Sequence, residues 1–149
     1  MARSLACSAQ APVLQRRWPL RWEEQKALLE RQHARLEGAL LELLDIHRSL
    51  PSHANDIQAQ ALDHACRRLL WDLRLHLRLE ERWLAARGCL CTGHRAAHAE
   101  ALRTTVGEYL QCRGEHQARC RWLLNLRAWF LAHLAGPDAT AYALAHRTP

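Results

Sequence analysis

At 149 residues the chain has the length of one domain, large enough for a single sizeable core. Leu, Ala, Arg and Glu dominate while Gly (6), Pro (5) and β-branched residues are scarce, a composition that favours helix and excludes a fold built from strands. The formal charge of +6 rests on arginine, with Lys26 the only lysine, and because acidic residues are interleaved among the arginines it describes a solvated helical surface rather than a nucleic-acid-binding block.

Charged residues or histidine interrupt every apolar segment before it reaches the roughly 18 residues of a spanning helix, so membrane insertion is not expected. The six cysteines are Cys7, Cys66, Cys89, Cys91, Cys112 and Cys120. A chain this long and apolar needs no disulfide framework, and a reducing, cytoplasmic setting is expected.

Residues 1–21 lack acidic side chains, carry Arg3, Arg16, Arg17 and Arg21 and include Pro12 and Pro19. They read as a poorly ordered N-terminal arm, with a weak organellar transit pattern as the alternative. Residues 22–149 read as the folded unit. From Trp22 to about Leu50, Leu29, His33, Leu36, Leu40 and Leu43 recur at steps of three and four, the mark of an amphipathic helix. Glu23 and Glu24 suit its N-terminal dipole, and Pro51 stops it.

After a turn, a second helix is predicted from Ile57 to Arg87, ending near Gly88, with Leu62, Leu69, Leu73, His76, Glu80 and Trp83 on one face. A third is predicted over about Thr92 to Gln111. Arg113-Gly114 punctuates the chain before a fourth helix, Glu115 to Ala135, with Trp122, Leu126, Trp129 and His133 on a stripe. Gly136-Pro137 is expected to break that helix, because proline lacks the N–H donor, and Asp138 to Pro149 to form a last short helix. Four long helices joined by short turns predict an all-α, up-down-up-down four-helix bundle.

Two pairs of metal-ligand residues stand at helical spacing, His76 with Glu80 and His94 with His98. Residues four apart on a helix share a face, so one helix pair can bring four donors together. Imidazole nitrogens with a carboxylate suit borderline metals such as iron or zinc better than calcium or magnesium. His33 and His76 both lie roughly 25 to 30 Å above the first turn, counted at helical rise, so they can meet. His47 is nearly at that turn and reads as a surface residue. His98 and His133 lie at similar heights about Arg113-Gly114.

Asp138 follows His133 by five residues and would point about 140° away in an undisturbed helix, unless the Gly136-Pro137 break re-aims it. Five imidazoles and two carboxylates would satisfy two divalent metals, three nitrogens on one and two on the other, with one open position. The remaining histidines, His47, His53, His64, His116 and His146, read as surface or satisfied core residues. Cys89 and Cys91 with His94 form a weaker candidate zinc set, lacking a second cysteine pair.

These motifs resemble those of the hemerythrin family and its bacterial hemerythrin-like (HHE cation-binding) domains. The likeness covers about Leu28 to Tyr142. It rests on Glu30-Arg31-Gln32-His33, on HLRLEE at His76 to Glu81, on HRAAH at His94 to His98, and on WFLAHLAGPD at Trp129 to Asp138. Pro137 directly before Asp138 departs from the family pattern.

The resemblance implies a pair of non-haem iron ions, oxo- or hydroxo-bridged. His94, His98 and His133 would bind one iron, His33 and His76 the other, and Glu80 and Asp138 would bridge them. It further implies reversible binding of dioxygen or another small gas at the two-histidine iron, in a carrier, store or sensor rather than an enzyme. Trp129, Leu29, Leu36 and Leu79 would then wall the pocket. The competing functions are a di-iron oxidase, peroxidase or nitric-oxide-handling enzyme, and a metal-free helical interaction module. The redox or effector partner is left open.

Overall fold

A computed structural model describes residues 21–50 and 55–149. The expected N-terminal arm, apart from Arg21, and His53 lie outside the described residues. Within them the chain forms α1 (Trp22–Ser49), α2 (Asp56–Ala86), α3 (Thr92–Gln111), α4 (His116–His133), a π-helical turn (Leu134–Asp138) and α5 (Ala139–Arg147). α1 packs against α2 and α4, and α3 packs against the same two helices, which is the expected four-helix bundle.

Local chemistry sets the helix ends. Asn55 caps α2 through a reciprocal pair: its side chain accepts from the Gln58 N–H at 2.9 Å, and the Gln58 side chain accepts from the Asn55 N–H at 3.2 Å. At the other end of α2, Gly88 takes φ 68°, a left-handed conformation that costs glycine little, and the Cys89 N–H closes back on the Leu84 carbonyl at 2.8 Å. Gly114, at φ 80°, plays the same part between α3 and α4. Gly38 and Gly107 have open space where a Cβ would stand, so neither serves a close helix approach. No helix among the described residues is long and apolar enough to cross a membrane.

The apolar interior is in two parts. The larger holds Leu36, Leu40, Leu43, Leu69, Leu73, Trp122, Leu126 and Phe130. The smaller holds Trp22, Leu29, Trp83, Leu84, Tyr142 and Ala145. His33 falls between Leu29 and Leu36 on α1, and His76 and Glu80 fall between Leu73 and Trp83 on α2. A polar layer thus lies between two apolar ones.

Two expectations are corrected. The helix does not break at Gly136-Pro137; the backbone stays right-handed at His133 (φ −65°, ψ −44°) and at Ala139 (φ −57°, ψ −41°), and one π turn joins α4 to α5. A turn closed by i→i+5 bonds takes in an extra residue, and it accommodates a proline that could not donate an i→i−4 bond. His47 is not a surface residue: it is 1 % exposed, and its Nδ1–H donates to the Leu43 carbonyl at 2.6 Å. Counting height along the axis placed His47 at the right level but ignored its azimuth, which continues the buried stripe of Leu36, Leu40, Leu43 and Leu44.

Candidate metal centre

The four long helices and the π turn bring their candidate donors together in one buried region. α1 supplies His33, α2 His76 and Glu80, α3 His94 and His98, the end of α4 His133, and the π turn Asp138. All seven predicted residues are buried, from Glu80 and His98 at 0 % exposure to His33 at 9 %. Their ligand atoms form two overlapping sets, each spanning no more than 4.8 Å: Glu80, His94, His98, His133 and Asp138 in one, His33, His76 and Glu80 in the other. The π turn explains Asp138. With one more residue per turn, the fifth residue after His133 returns to the same face, and Asp138 Oδ1 lies 3.0 Å from His133 Nε2.

The carboxylates face both sets at once. Glu80 Oε1 lies 3.8 Å from His33 Nε2 and 4.0 Å from His76 Nε2, while its Oε2 lies 3.2 Å from His98 Nε2 and 3.6 Å from His94 Nε2. Asp138 Oδ1 lies 3.0 Å from His94 Nε2, and Oδ2 lies 3.6 Å from His33 Nε2. Two donors on one metal at bond lengths of about 2.1 Å stand about 3.0 Å apart at right angles and about 4.2 Å apart when opposite. The observed separations match donors sharing a coordination sphere.

Three further observations fit a metal better than a closed hydrogen-bond network. His76 Nε2 and Glu80 Oε2 are buried without a hydrogen-bond partner, an expensive arrangement unless something else occupies them. The Nε2 atoms of His94, His98 and His133 converge, at 3.1 Å for His94–His133 and 2.8 Å for His98–His133. His133 Nε2 carries either one proton or one lone pair and cannot serve both contacts as hydrogen bonds, whereas lone pairs aimed at a cation can coexist. The outward nitrogens are also secured: His76 Nδ1–H donates to Gln32 Oε1 at 2.8 Å, and His98 Nδ1–H to Glu81 Oε1 at 3.0 Å. Such bonds leave Nε2 as the bare lone pair directed inward.

Charge states agree with that use. Burial would raise the Glu80 carboxyl, but contacts with His33, His94, His98 and Tyr142 overcome it and hold the group well below the usual carboxylate range. Asp138 is likewise lowered, burial being outweighed by His133 and His94. Burial depresses His76 to about 4, keeping it neutral. His94 is the exception: burial works against its charge, yet Asp138 and Glu80 raise it to about 9. To bind a cation it would have to surrender a proton.

Residues beyond the predicted seven complete the site. The Tyr142 hydroxyl donates to Glu80 Oε1 and lies 3.4 Å from His33 Nε2, with its ring stacked on the His33 ring at an interplanar angle of 10°. Trp129 stacks on His133 with centroids 4.7 Å apart, and Phe130 meets His33 edge-on. Leu29 and Leu36 belong to the smaller and larger apolar parts respectively, and Leu79 is partly buried. A cavity of about 540 Å³ reaches the two-histidine half from between α1 and α5, lined by Lys26, Glu30, His33, Asp138, Tyr142 and His146.

Glu81 and Gln32 adjoin residues singled out from the sequence, but their partners lie 17 and 44 positions away, beyond the reach of a spacing argument. Tyr142 follows Asp138 by one helical turn, and that spacing was its only signal. The cysteine alternative fails on geometry: Cys91 is exposed and its Sγ caps α3 by accepting from the His94 N–H at 3.3 Å, while the His94 ring turns inward to Asp138. Among the described residues Glu80 has no arginine partner.

No family model, curated protein or solved structure matches the chain. What the fold and the site define is a class: a four-helix bundle with a buried cluster of histidines and carboxylates that could hold a metal ion.

Proposed function

We propose that the cluster holds two iron ions and that the protein binds dioxygen reversibly, as a hemerythrin-like domain. The observation that carries this reading is the division of each carboxylate: Glu80 and Asp138 both present one oxygen toward the His33 side and one toward the His94 side. A bridge between two cations needs that arrangement, and a single cation does not. His94, His98 and His133 would hold one iron, His33 and His76 the other, and the pair would supply reversible two-electron chemistry toward a bound gas. The three-histidine half offers five donors, and the two-histidine half offers four. The second half would therefore have fewer protein ligands, and the 540 Å³ cavity, lined by His33 and Asp138, lies on its side.

The chain's own residues then have distinct tasks. Gln32 and Glu81 orient His76 and His98, the apolar layers above and below restrict water, and Tyr142 holds Glu80 Oε1 while presenting a hydroxyl beside His33. That hydroxyl, with the polar mouth formed by Lys26, Glu30 and His146, favours as a second reading an enzyme that reduces or oxidises a small polar substrate. A mouth polar enough to hold such a substrate beside the open half serves turnover more than reversible carriage.

Anaerobic iron loading followed by metal analysis tests the proposal. Two irons per chain and a visible absorption band that forms in air and fades on removing oxygen are expected. One iron per chain would reject the paired centre. A band that decays irreversibly with substrate consumption would select the enzyme.

A further inference from the structure

About 20 Å along α2 from His76, counting helical rise over the residues back to Asp63, a second charged cluster faces a cavity of about 440 Å³. Arg67, Arg113 and Arg119 line it, and Asp63 is its only lining carboxylate. Asp63 is already engaged: it accepts from the Tyr109 hydroxyl and from Arg67 Nη2 at 2.6 Å. Arg113 comes no nearer to it than 3.9 Å, and Arg119 reaches it only through Nη2 at 3.4 Å.

Arg119 is the telling residue. It is 8 % exposed, packs its guanidinium over the Tyr109 ring, and leaves its Nε without a partner. A guanidinium has five N–H donors and cannot shed its charge, so one whose Nε is buried without a partner and whose nearest carboxylate oxygen stands at 3.4 Å is under-satisfied. A cluster built only to neutralise itself would match cations with anions. Here three guanidiniums surround one carboxylate and leave room between them.

We propose that this cavity is a binding site for a phosphate-class oxyanion, free or as a phosphomonoester, held by Arg119 from within and by Arg67 and Arg113 at the rim. Planar guanidinium forks suit tetrahedral oxyanions, which can accept from several of them at once. The volume falls within the range of small-molecule sites. The site is separate from the metal centre and is formed by α2, α4 and the turn between α3 and α4.

Titration calorimetry of the full chain as purified, at low ionic strength, tests it with inorganic phosphate and, in a second arm, adenosine monophosphate. Saturable one-to-one binding is expected, unchanged by prior treatment with EDTA. Equal affinities would identify free phosphate as the ligand, and tighter binding of the nucleotide would identify an ester. Arg119→Lys probes the buried contact but risks the fold. Arg113→Gln, on an exposed turn, avoids that risk and should weaken binding about tenfold, whereas Asp63→Asn should strengthen it several-fold by removing the internal competitor. The site is refuted by no saturation below about 10 mM phosphate, by binding lost on chelation, or by Arg113→Gln binding like the parent chain.

Discussion

Replacing Tyr142 by Phe separates the hydrogen bond to Glu80 from every other role of that ring. The aromatic body stays stacked on His33 and edge-on to Trp22, so no cavity opens. What disappears is one O–H donor to a carboxylate that is 0 % exposed. A hydrogen bond to a buried charged group contributes about 1.5–3 kcal/mol. The metal-free protein should therefore lose about 2 kcal/mol, which for a domain of this size lowers Tm by about 4–8 °C. With metal bound, the Glu80 oxygens would be engaged by it, and the same substitution should lower Tm by less than half as much. Differential scanning calorimetry of both forms makes the comparison. Equal losses with and without metal, or no loss without it, would refute the idea that Tyr142 satisfies a carboxylate otherwise committed to metal.

Other perturbations probe separate links. His47→Ala removes a buried ring away from the metal donors, so it should cost about 2 kcal/mol of stability yet leave metal stoichiometry unchanged; His76→Ala should do the opposite to stoichiometry, and metal analysis with thermal melts distinguishes them. Pro137→Ala restores a backbone donor and lets an ordinary α turn compete with the π turn, swinging Asp138 away. Helicity by circular dichroism should hold while metal affinity falls at least about tenfold, and parent-like affinity would show that the proline does not enforce the turn.

The pH dependence has a definite sign. The His94 pKa in the folded, metal-free protein is raised from 6.5 to about 9, so its stabilising contribution is complete below pH 6.5 and is lost as pH rises through about 9. For the same reason metal affinity should climb toward pH 9, with about one proton released per chain on loading at pH 7. Calorimetry in buffers of different ionisation enthalpy measures that proton, and zero release would contradict a charged His94.

The helices were legible because each carries its own evidence. The three-and-four spacing of Leu29, His33, Leu36 and Leu40, the stop at Pro51 and the left-handed Gly88 are local features. α3 begins and ends where its sequence predicts. The seven clustered candidate donors were legible because ligand chemistry restricts residue type and helical geometry restricts spacing. Tyr142, Gln32 and Glu81 were not, because a tyrosine, an amide or an acid on a polar helix has many ordinary uses until its partner is known.

By itself the sequence determined the four long helices and which side chains on them could carry metal-binding chemistry, since backbone propensity and donor type are properties of short stretches. Only the tertiary structure decided where those side chains face. It buried His47, turned Asp138 inward through the π turn, and set Arg119 against a cavity with too few anions. Azimuth, second neighbours and local charge balance depend on how separate helices rotate and stack against one another, and no single helix encodes that.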